Sequence, residues 1–529
     1  MTRRGGDNLG VTRLVRTPGR RARERVTATV GGGARARVIV LLAAVLALSS
    51  ADNAAVGAAA GPLRHALKIN FTQLGLLVAL PALAGAATTV PIGALTDRVR
   101  RVRLLAASIA LWSVAMIVSG AASSYAMLLV TRLVLGAIIA TAGPMLASLT
   151  GDFFASRERG RIYGFLLTGE LLGSVLGLFV SGNAAAISWR LAFWVLAVPS
   201  AVLAWAVWRL LPEPARGGGS RLGPGATEIL SAEQAEGLES AEGLAPADEP
   251  PDEIGDGPAS GLEQALRRGH VSAHPELVLK RDPAGMNLRD AVGYVLSVRT
   301  NVALIAVSSL GYFFQAGVLT FGVIFVRHQY SVTQSVATSL LALLVVGAVL
   351  GVLIAGRSAD ALMARGHISG RVIVAAGAFL AACVLFLPPL LSRSPVLGLP
   401  FLLLAAAALA AANPPLDAAR LDIMPSRLWG RAEGVRTLLR SVAVAFAPLL
   451  FGFISDQLSG PGRVTHASGS MGQQANAAGL SSTFLIMLVP LAVGGLILLW
   501  ATRTYPRDAA TALASQVGMR RSAGPRRRS

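Results

Sequence analysis

Six ionisable side chains lie inside stretches of the sequence that are otherwise apolar. Three are carboxylates and three are guanidinium groups: Asp52, Arg132, Glu170, Asp417, Arg436 and Arg440. A charge at the centre of a bilayer costs roughly 3 kcal/mol or more unless it is paired or hydrated, so membrane proteins keep such residues where they handle ions or substrates. A carboxylate beside an arginine can bind and release a proton or hold a charged ligand. The six charges sum to zero, as mutual pairing requires.

Asp52 and Arg132 lie at similar depths below the same side of the bilayer. With a rise of about 1.5 Å per residue, they are about 12 Å and about 9 Å from the nearer ends of their predicted helices. Ser49, Asp52 and Asn53 share one helix face, which indicates a polar stripe turned away from lipid. We therefore expect Asn53 to line a substrate cavity, and we regard Asp52 and Arg132 as candidates for an ion pair.

Glu170 and Arg440 occupy equivalent positions in an internal repeat that is described below. Their opposite charges predict either a substrate-binding pair across the cavity or separate local partners. Asp417 and Arg436 lie near the ends of consecutive apolar stretches. We interpret them as a structural ion pair rather than as substrate contacts.

Polar side chains also interrupt two stretches in the second half of the chain. Tyr312 and Gln315 form a stripe with Ser308, and Asn413 precedes Pro414. We expect Tyr312, Gln315 and Asn413 to line the substrate cavity. Hydrogen bonds between helices would account for the same residues, because polar side chains also join helices within membranes.

The elements that carry these residues are apolar stretches of membrane-spanning length. The chain has 529 residues, of which 53% are hydrophobic and 14% charged, and its mean hydropathy is +0.59. A bilayer is crossed by about 20 mostly apolar residues. Twelve stretches qualify, and we number them spans 1 to 12: 37–60, 72–95, 103–121, 126–150, 161–183, 191–211, 301–326, 335–359, 371–391, 396–420, 431–454 and 481–502. The predicted fold is an all-α membrane protein of two pseudo-symmetric six-helix bundles.

The net charge of +20 comes largely from arginines placed at the two tails and in alternate short loops. Positive charge marks the cytoplasmic side of membrane proteins. The placement therefore predicts a multi-pass protein of the plasma membrane with both termini in the cytoplasm. It favours contact of the tails with anionic lipids over nucleic-acid binding.

Composition divides the chain into five regions. Basic tails at 1–36 and 503–529 flank six-helix bundles at 37–211 and 301–502. Residues 212–300 between them are polar and contain an acidic tract from Glu228 to Glu263 without lysine or arginine. Such a composition buries too little apolar surface to fold alone. We predict a mostly disordered cytoplasmic linker, which serves as a tether or carries a regulatory docking site.

The two bundles carry an internal repeat with an offset of 270 residues. It pairs Pro144 with Pro414, Asp152 with Asp422, Ser156 with Ser426, Arg157 with Arg427, Gly160 with Gly430, Arg161 with Arg431 and Gly164 with Gly434. Gly93 and Asp97 recur as Gly356 and Asp360 at an offset of 263. A duplicated six-helix unit implies a site between the halves near the middle of the membrane.

Two motifs resemble signatures of the major facilitator superfamily. Gly93-Ala-Leu-Thr-Asp97-Arg98-Val-Arg-Arg101 resembles its loop between spans 2 and 3, and Leu129-Val-Thr-Arg132-Leu-Val-Leu-Gly136 resembles its span 4 signature. The resemblance implies transport by alternating access. It also implies that Asp97 faces the start of span 11 and holds the cytoplasmic side closed. We therefore assign gating to these residues and to their second copies: Gly93, Asp97, Arg98, Arg101, Gly356 and Asp360. The alternative is that the charges only set the topology.

A narrower resemblance is to the spinster-like branch of this superfamily. It rests on Asp52, Arg132 and the run from Gly143-Pro144 to Gly151-Asp152-Phe153, whereas Ile139 stands where that branch usually has glutamate. Spans 1 and 4 are neighbours in the superfamily, so the resemblance implies an Asp52–Arg132 ion pair. We expect this pair to couple transport to protons; a static pair that orients the bundle is the alternative.

Other chemistries find little support in the sequence. It has no phosphate-binding glycine loop, no histidines at metal-ligand spacing and a single cysteine, Cys383. We therefore expect no enzyme activity, cofactor or metal. The predicted function is secondary active transport of a small molecule by a proton-coupled monomer, with export of an amphipathic compound favoured. An uptake symporter for a polar metabolite and a non-transporting sensor or scaffold are the alternatives.

Overall fold

The computed structural model describes most of the two predicted bundles and parts of the segment between them. The described residues are 32–96, 99–154, 156–214, 222, 266, 269–279, 283, 286–425, 428–459 and 470–522. Within these residues, every extended regular element is a helix. Eleven helices are long and apolar enough to cross a membrane, and a shorter apolar helix, Tyr125–Ile139, begins span 4. The prediction of twelve membrane helices is confirmed.

The helices follow the twelve predicted spans in order. They are Gly33–Leu67, Phe71–Thr96, Arg101–Gly120, Tyr125–Ile139 with Ala142–Phe153, Ser156–Ile187, Leu191–Leu210, Arg299–Gln329, Gln334–Ala364, Gly370–Leu391, Pro395–Ala411 with Asn413–Asp422, Trp429–Ser459 and Ser470–Ser522. Spans 4 and 10 each consist of two helices, interrupted just before the repeated prolines Pro144 and Pro414. Proline lacks the N–H of an interior helix position and clashes with the carbonyl four residues earlier, which explains both breaks.

The helical structure extends beyond the predicted spans, most of all around span 12 and between the two bundles. Most spans extend by a few residues, span 12 runs from Ser470 to Ser522, and a short helix, Leu288–Ser297, forms inside the segment predicted to be a disordered linker. Ala291 and Val295 of this helix are fully buried. Composition averaged over the whole linker concealed this short amphipathic stretch. The acidic tract from Glu228 to Glu263 lies outside the described residues.

The end of span 12 binds the chain just before the short helix. The backbone N–H of His274 donates to Thr511 Oγ1 at 2.9 Å, and that of Leu279 donates to Ser515 Oγ at 3.0 Å. Asp508 accepts a hydrogen bond from the backbone N–H of Thr300, at the start of span 7. These contacts attach part of the predicted linker to the second bundle.

The alternation of the spans gives the molecule two faces. We call the face where span 1 begins and span 12 ends the tail face, and the opposite one the far face. Near the far face the halves touch at backbone distance: a Cβ added to Gly75 would overlap the backbone of Pro448, and one at Gly452 that of Phe71. Toward the tail face, no atom of the described residues other than the adjacent backbone lies within 4 Å of a Cβ built on the repeat-related Gly164 or Gly434. The far face is therefore closed.

Glycines repeated every four residues bring span 5 onto span 1. A Cβ added to Gly169, Gly173 or Gly177 would overlap span 1 at Ala43, Ala47 or Ala51, respectively. Small residues allow such close approach of membrane helices. The contact fixes the rotation of span 1, which carries Asp52, and that of span 5, which carries Glu170.

Candidate coupling and substrate sites

Asp52 and Arg132 form a buried ion pair between spans 1 and 4. Arg132 Nη1 donates to Asp52 Oδ1 at 2.7 Å, and the side chains are 4% and 0% exposed, respectively. The guanidinium also lies 5.9 Å from the centre of the Phe193 ring on span 6. Asn53, the neighbour of Asp52, has an exposed side chain. The structure thus brings together the two residues that the sequence suggested as a pair.

This pair leaves two buried polar atoms without a partner. Among the described residues, neither Asp52 Oδ2 nor Arg132 Nε has a hydrogen bond. Buried polar atoms are nearly always satisfied by protein groups or by ordered water, so a water molecule is the expected partner for such atoms. The pair is therefore incompletely satisfied in this conformation.

Glu170 and Arg440 lie near each other without forming a salt bridge. Their charges interact electrostatically, but within the described chain neither residue has an ion-pair partner at 4.0 Å or less. Arg440 Cζ lies 4.6 Å from the centre of the Tyr312 ring on span 7. Gln315 is exposed and Asn413 half-buried. The contact of Arg440 with Tyr312 joins two predicted cavity residues from different spans.

Asp417 and Arg436 belong to a network of four charges rather than to an isolated pair. Arg436 Nη1 lies 3.3 Å from Asp417 Oδ1, as the sequence suggested. Arg420 bridges Asp417 at 2.6 Å and Glu433 at 2.8 Å, and Arg436 also pairs with Glu433. Sequence reasoning missed Arg420 and Glu433. A signal was present in the sequence, because Arg420 follows Asp417 by three residues and Arg436 follows Glu433 by three, a spacing that pairs side chains on one helix face.

A repeated ion pair lies at the tail face of each half. Arg101 pairs with Asp152 in the first half, and Arg371 pairs with Asp422 in the second. Both members of the pair recur at the 270-residue offset, although sequence reasoning recognised only the aspartates. Arg101 also contacts Glu213, and Asp422 accepts a hydrogen bond from Tyr505.

The predicted gating residues are only partly described. Arg101 is buried inside the first half and does not reach span 11 in this conformation. Gly93 lies in the helix of span 2, whereas Asp97 and Arg98 lie outside the described residues. Gly356 faces open space and Asp360 is exposed. The proposed contact of Asp97 with span 11 therefore stays a prediction.

A contact between the halves at the far face had no counterpart in the sequence reasoning. Asp456, near the end of span 11, accepts hydrogen bonds from the backbone N–H groups of Phe71 and Thr72 at 3.0 and 2.8 Å, and from Thr72 Oγ1 at 2.6 Å. Arg64 Cζ lies 3.4 Å from the centre of the Phe71 ring. A carboxylate at a helix N-terminus is favoured by the helix dipole and by the free N–H groups.

The sequence model of the Major Facilitator Superfamily matches residues 42–448, more than half of the chain. A 3-(3-hydroxy-phenyl)propionate transporter of Escherichia coli is 29% identical over 171 residues, which cover 32% of this chain and 42% of that protein. The probable chloroplastic anion transporter 3 of Arabidopsis thaliana is 30% identical over 188 residues, covering 33% and 36%. The matched segment spans less than half the length of either relative.

Solved structures extend the likeness over most of the chain. A bacterial homologue of the human lysosomal transporter Spinster, in an inward-facing and unoccupied conformation, superposes with a TM-score of 0.68 and 20% identity. The superposition covers 90% of this chain and 98% of that one. Because only 20% of the residues are identical, this similarity is evidence for a shared fold.

Proposed function

This chain belongs to the Major Facilitator Superfamily, and on that premise we propose that it is a proton-coupled transporter that exports a small amphipathic molecule across the plasma membrane. Its relatives are small-molecule transporters rather than enzymes. The proposal adds the driving ion, the direction and the chemical character of the cargo. In it, the tail face is cytoplasmic, because the tails and short loops on that side hold most of the loop arginines.

The observation that carries the proposal is the unsatisfied pair of Asp52 and Arg132. A buried carboxylate with one free oxygen can accept a proton there, and the free Arg132 Nε can hold a water molecule that delivers it. Protonation removes the negative charge that balances Arg132. Removal of one charge from a buried pair costs about 3–5 kcal/mol, which is enough to shift the balance between two conformations of the bundle.

The closed far face supplies the other half of the proposed cycle. Contacts of span 2 with span 11 close that side in this conformation, and in the proposed cycle the substrate site is then accessible from the tail face. Protonation and substrate binding would bias a rocking motion that opens the far face and closes the tail face. In the proposed mechanism, Asp97 takes part in closing the tail face.

Export is the proposed direction because the spans that would form the cavity offer few hydrogen-bonding side chains. Span 5, for example, presents mainly leucine and glycine around Glu170, and its nearest polar side chains are those of Thr168 and Ser174. Such a surface suits a compound with a large apolar part, which can enter from the cytoplasmic side. The proposed working unit is a monomer surrounded by lipid, since all elements of the cycle lie within one chain.

The experiment is flux in proteoliposomes with an imposed pH step. Vesicles that contain an internal pH dye are exposed to matched carboxylates, amides and amines, and movement of each compound is followed with that of protons. We expect flux that the pH step accelerates in the native protein and that loses its pH dependence in Asp52→Asn. Asp290→Asn, an exposed site on the short helix, is the matched control. Flux that still responds to the pH step in Asp52→Asn would refute coupling through this pair. Absence of flux for every compound in the native protein would favour a sensor or scaffold.

A further inference from the structure

Arg440 has no carboxylate within salt-bridge distance among the described residues, unlike Arg132 and Arg436. Arg132 has Asp52, and Arg436, one turn before Arg440, has Glu433 and Asp417. Arg440 is half-buried, and its only described contacts are the Tyr312 ring and the electrostatic interaction with Glu170. A cation at this depth needs a counter-charge. The fold therefore places one incompletely compensated guanidinium among spans 5, 7 and 11.

The contact with Tyr312 determines how this guanidinium can be used. With Cζ 4.6 Å from the ring centre, the side chain lies over the aromatic face. A cation–π contact is not a hydrogen bond, so it leaves the N–H donors of the guanidinium available to other groups. Two parallel N–H groups at the edge match the two oxygens of a carboxylate. Tyr312 thus holds Arg440 in place while its N–H donors stay available to an anionic group.

Glu170 limits the total charge of such a ligand. It extends from span 5, at the repeat position equivalent to Arg440, and its exposed carboxylate interacts with Arg440 across a gap wider than a salt bridge. In the proposal below, the charged group of the ligand binds between these two side chains. One negative charge gains Arg440 as a partner, whereas a second negative charge near Glu170 meets repulsion.

We propose that Arg440, oriented by Tyr312, binds the carboxylate of the transported molecule, and that Glu170 restricts the cargo to monoanions with an apolar or aromatic body. This assignment rests on the proposed function for its cargo. It can be tested separately, because it concerns the affinity for a charged ligand at spans 5, 7 and 11. The proposed function concerns proton coupling at spans 1 and 4.

The test is equilibrium binding to the full-length protein in lipid nanodiscs. The probes are 3-phenylpropionate, its amide and its amine, which share one body and differ in charge, together with benzoate and octanoate and their amides. The dianion 3-(4-carboxyphenyl)propionate tests the selection by Glu170. Affinities are measured for the native protein and for Arg440→Gln, Arg440→Lys, Tyr312→Leu and Glu170→Gln, with Arg503→Gln as an exposed control.

We expect at least one carboxylate to bind about tenfold or more tightly than its amide, and this preference to vanish in Arg440→Gln. Arg440→Lys retains the charge but loses the two-donor edge, so it should restore only part of the preference. Tyr312→Leu should weaken the binding of carboxylates and have little effect on the binding of amides. Glu170→Gln should improve binding of the dianion relative to the monoanion, and Arg503→Gln should leave all affinities unchanged.

Three results would overturn the proposal: equal binding of every carboxylate and its amide, an intact carboxylate preference in Arg440→Gln, or a preference for the dianion in the native protein. Asp52→Asn, measured in the same assay, separates the two proposals. Retained carboxylate binding in that variant together with pH-driven flux would refute the coupling scheme and leave the assignment of Arg440 in place. Loss of charge preference in the Arg440 variants and its reduction in Tyr312→Leu, with no change in Asp52→Asn or Arg503→Gln, would support the subsite whatever the flux experiment shows.

Discussion

Asp456 joins the end of span 11 to the start of span 2 by accepting hydrogen bonds from both the backbone N–H and the hydroxyl of Thr72. The two residues come from opposite halves, so these bonds must break when the far face opens. Span 2 and span 11 also meet at Gly75 and Gly452. Close backbone contact therefore brings the halves together, and the carboxylate adds a charge-assisted bond that holds them.

Asp456→Asn should shift the molecule toward conformations with an open far face. The change removes the charge from the bonds to span 2, and hydrogen bonds to charged groups contribute about 1.5–3 kcal/mol. In a Cys383→Ser background, spin labels at Ser123 and Ser394, on far-face loops of opposite halves, would report a larger fraction of long distances. Asp508→Asn is the matched control, because Asp508 binds a helix N-terminus within one half. Identical distance distributions in Asp456→Asn and the native protein would show that the bonds do not hold the face closed.

Single substitutions of the Asp52–Arg132 pair should destabilise the protein more than the double substitution. Arg132→Gln leaves a buried carboxylate alone, at a cost of about 3–5 kcal/mol, whereas Asp52→Asn with Arg132→Gln removes both charges. The unfolding temperatures of the purified variants measure the difference. They are obtained by heating each protein and monitoring the loss of its monodisperse peak in size-exclusion chromatography. A double variant as unstable as the sum of the two single variants would contradict a mutual pair.

Gly173→Leu should lower the unfolding temperature strongly, and Gly164→Leu in the same helix should change it little. A side chain at Gly173 overlaps the backbone of Ala47, whereas the same position at Gly164 faces open space. Overpacking typically costs about 1–3 kcal/mol. Equal unfolding temperatures for the two variants would mean that spans 1 and 5 are not in backbone contact.

The repeated ion pairs at the tail face should respond unequally to removal of the aspartate. Asp152→Asn leaves Arg101 with Glu213 and Ser148, whereas Asp422→Asn deprives Arg371 of its carboxylate and weakens the acceptor of Tyr505. We expect Asp422→Asn to be the more destabilising by about 1–2 kcal/mol. Chemical denaturation of the two variants side by side provides the comparison, and a larger loss for Asp152→Asn would contradict the described partners.

The sequence by itself determined the membrane class, the number of spans and the duplication. These features can be read locally, because each crossing needs about 20 apolar residues and the two halves repeat the same residues at a fixed offset. Depth counted along the helices also identified Asp52 and Arg132 as candidates for one pair, although their adjacency came from the family resemblance. The motif around Arg132 was sufficient to identify that family.

The tertiary structure decided which side chains meet. Arg101 pairs with Asp152 rather than with span 11, Arg440 lies over Tyr312, and Asp456 binds the start of span 2. None of these partners is near in sequence, and each depends on how a helix is rotated about its axis and which helix lies beside it. Apolar residues surround most spans on all sides, so the local pattern carries little information about that rotation. Backbone contact at small residues, such as Gly173 against Ala47, sets it only once the helices are packed.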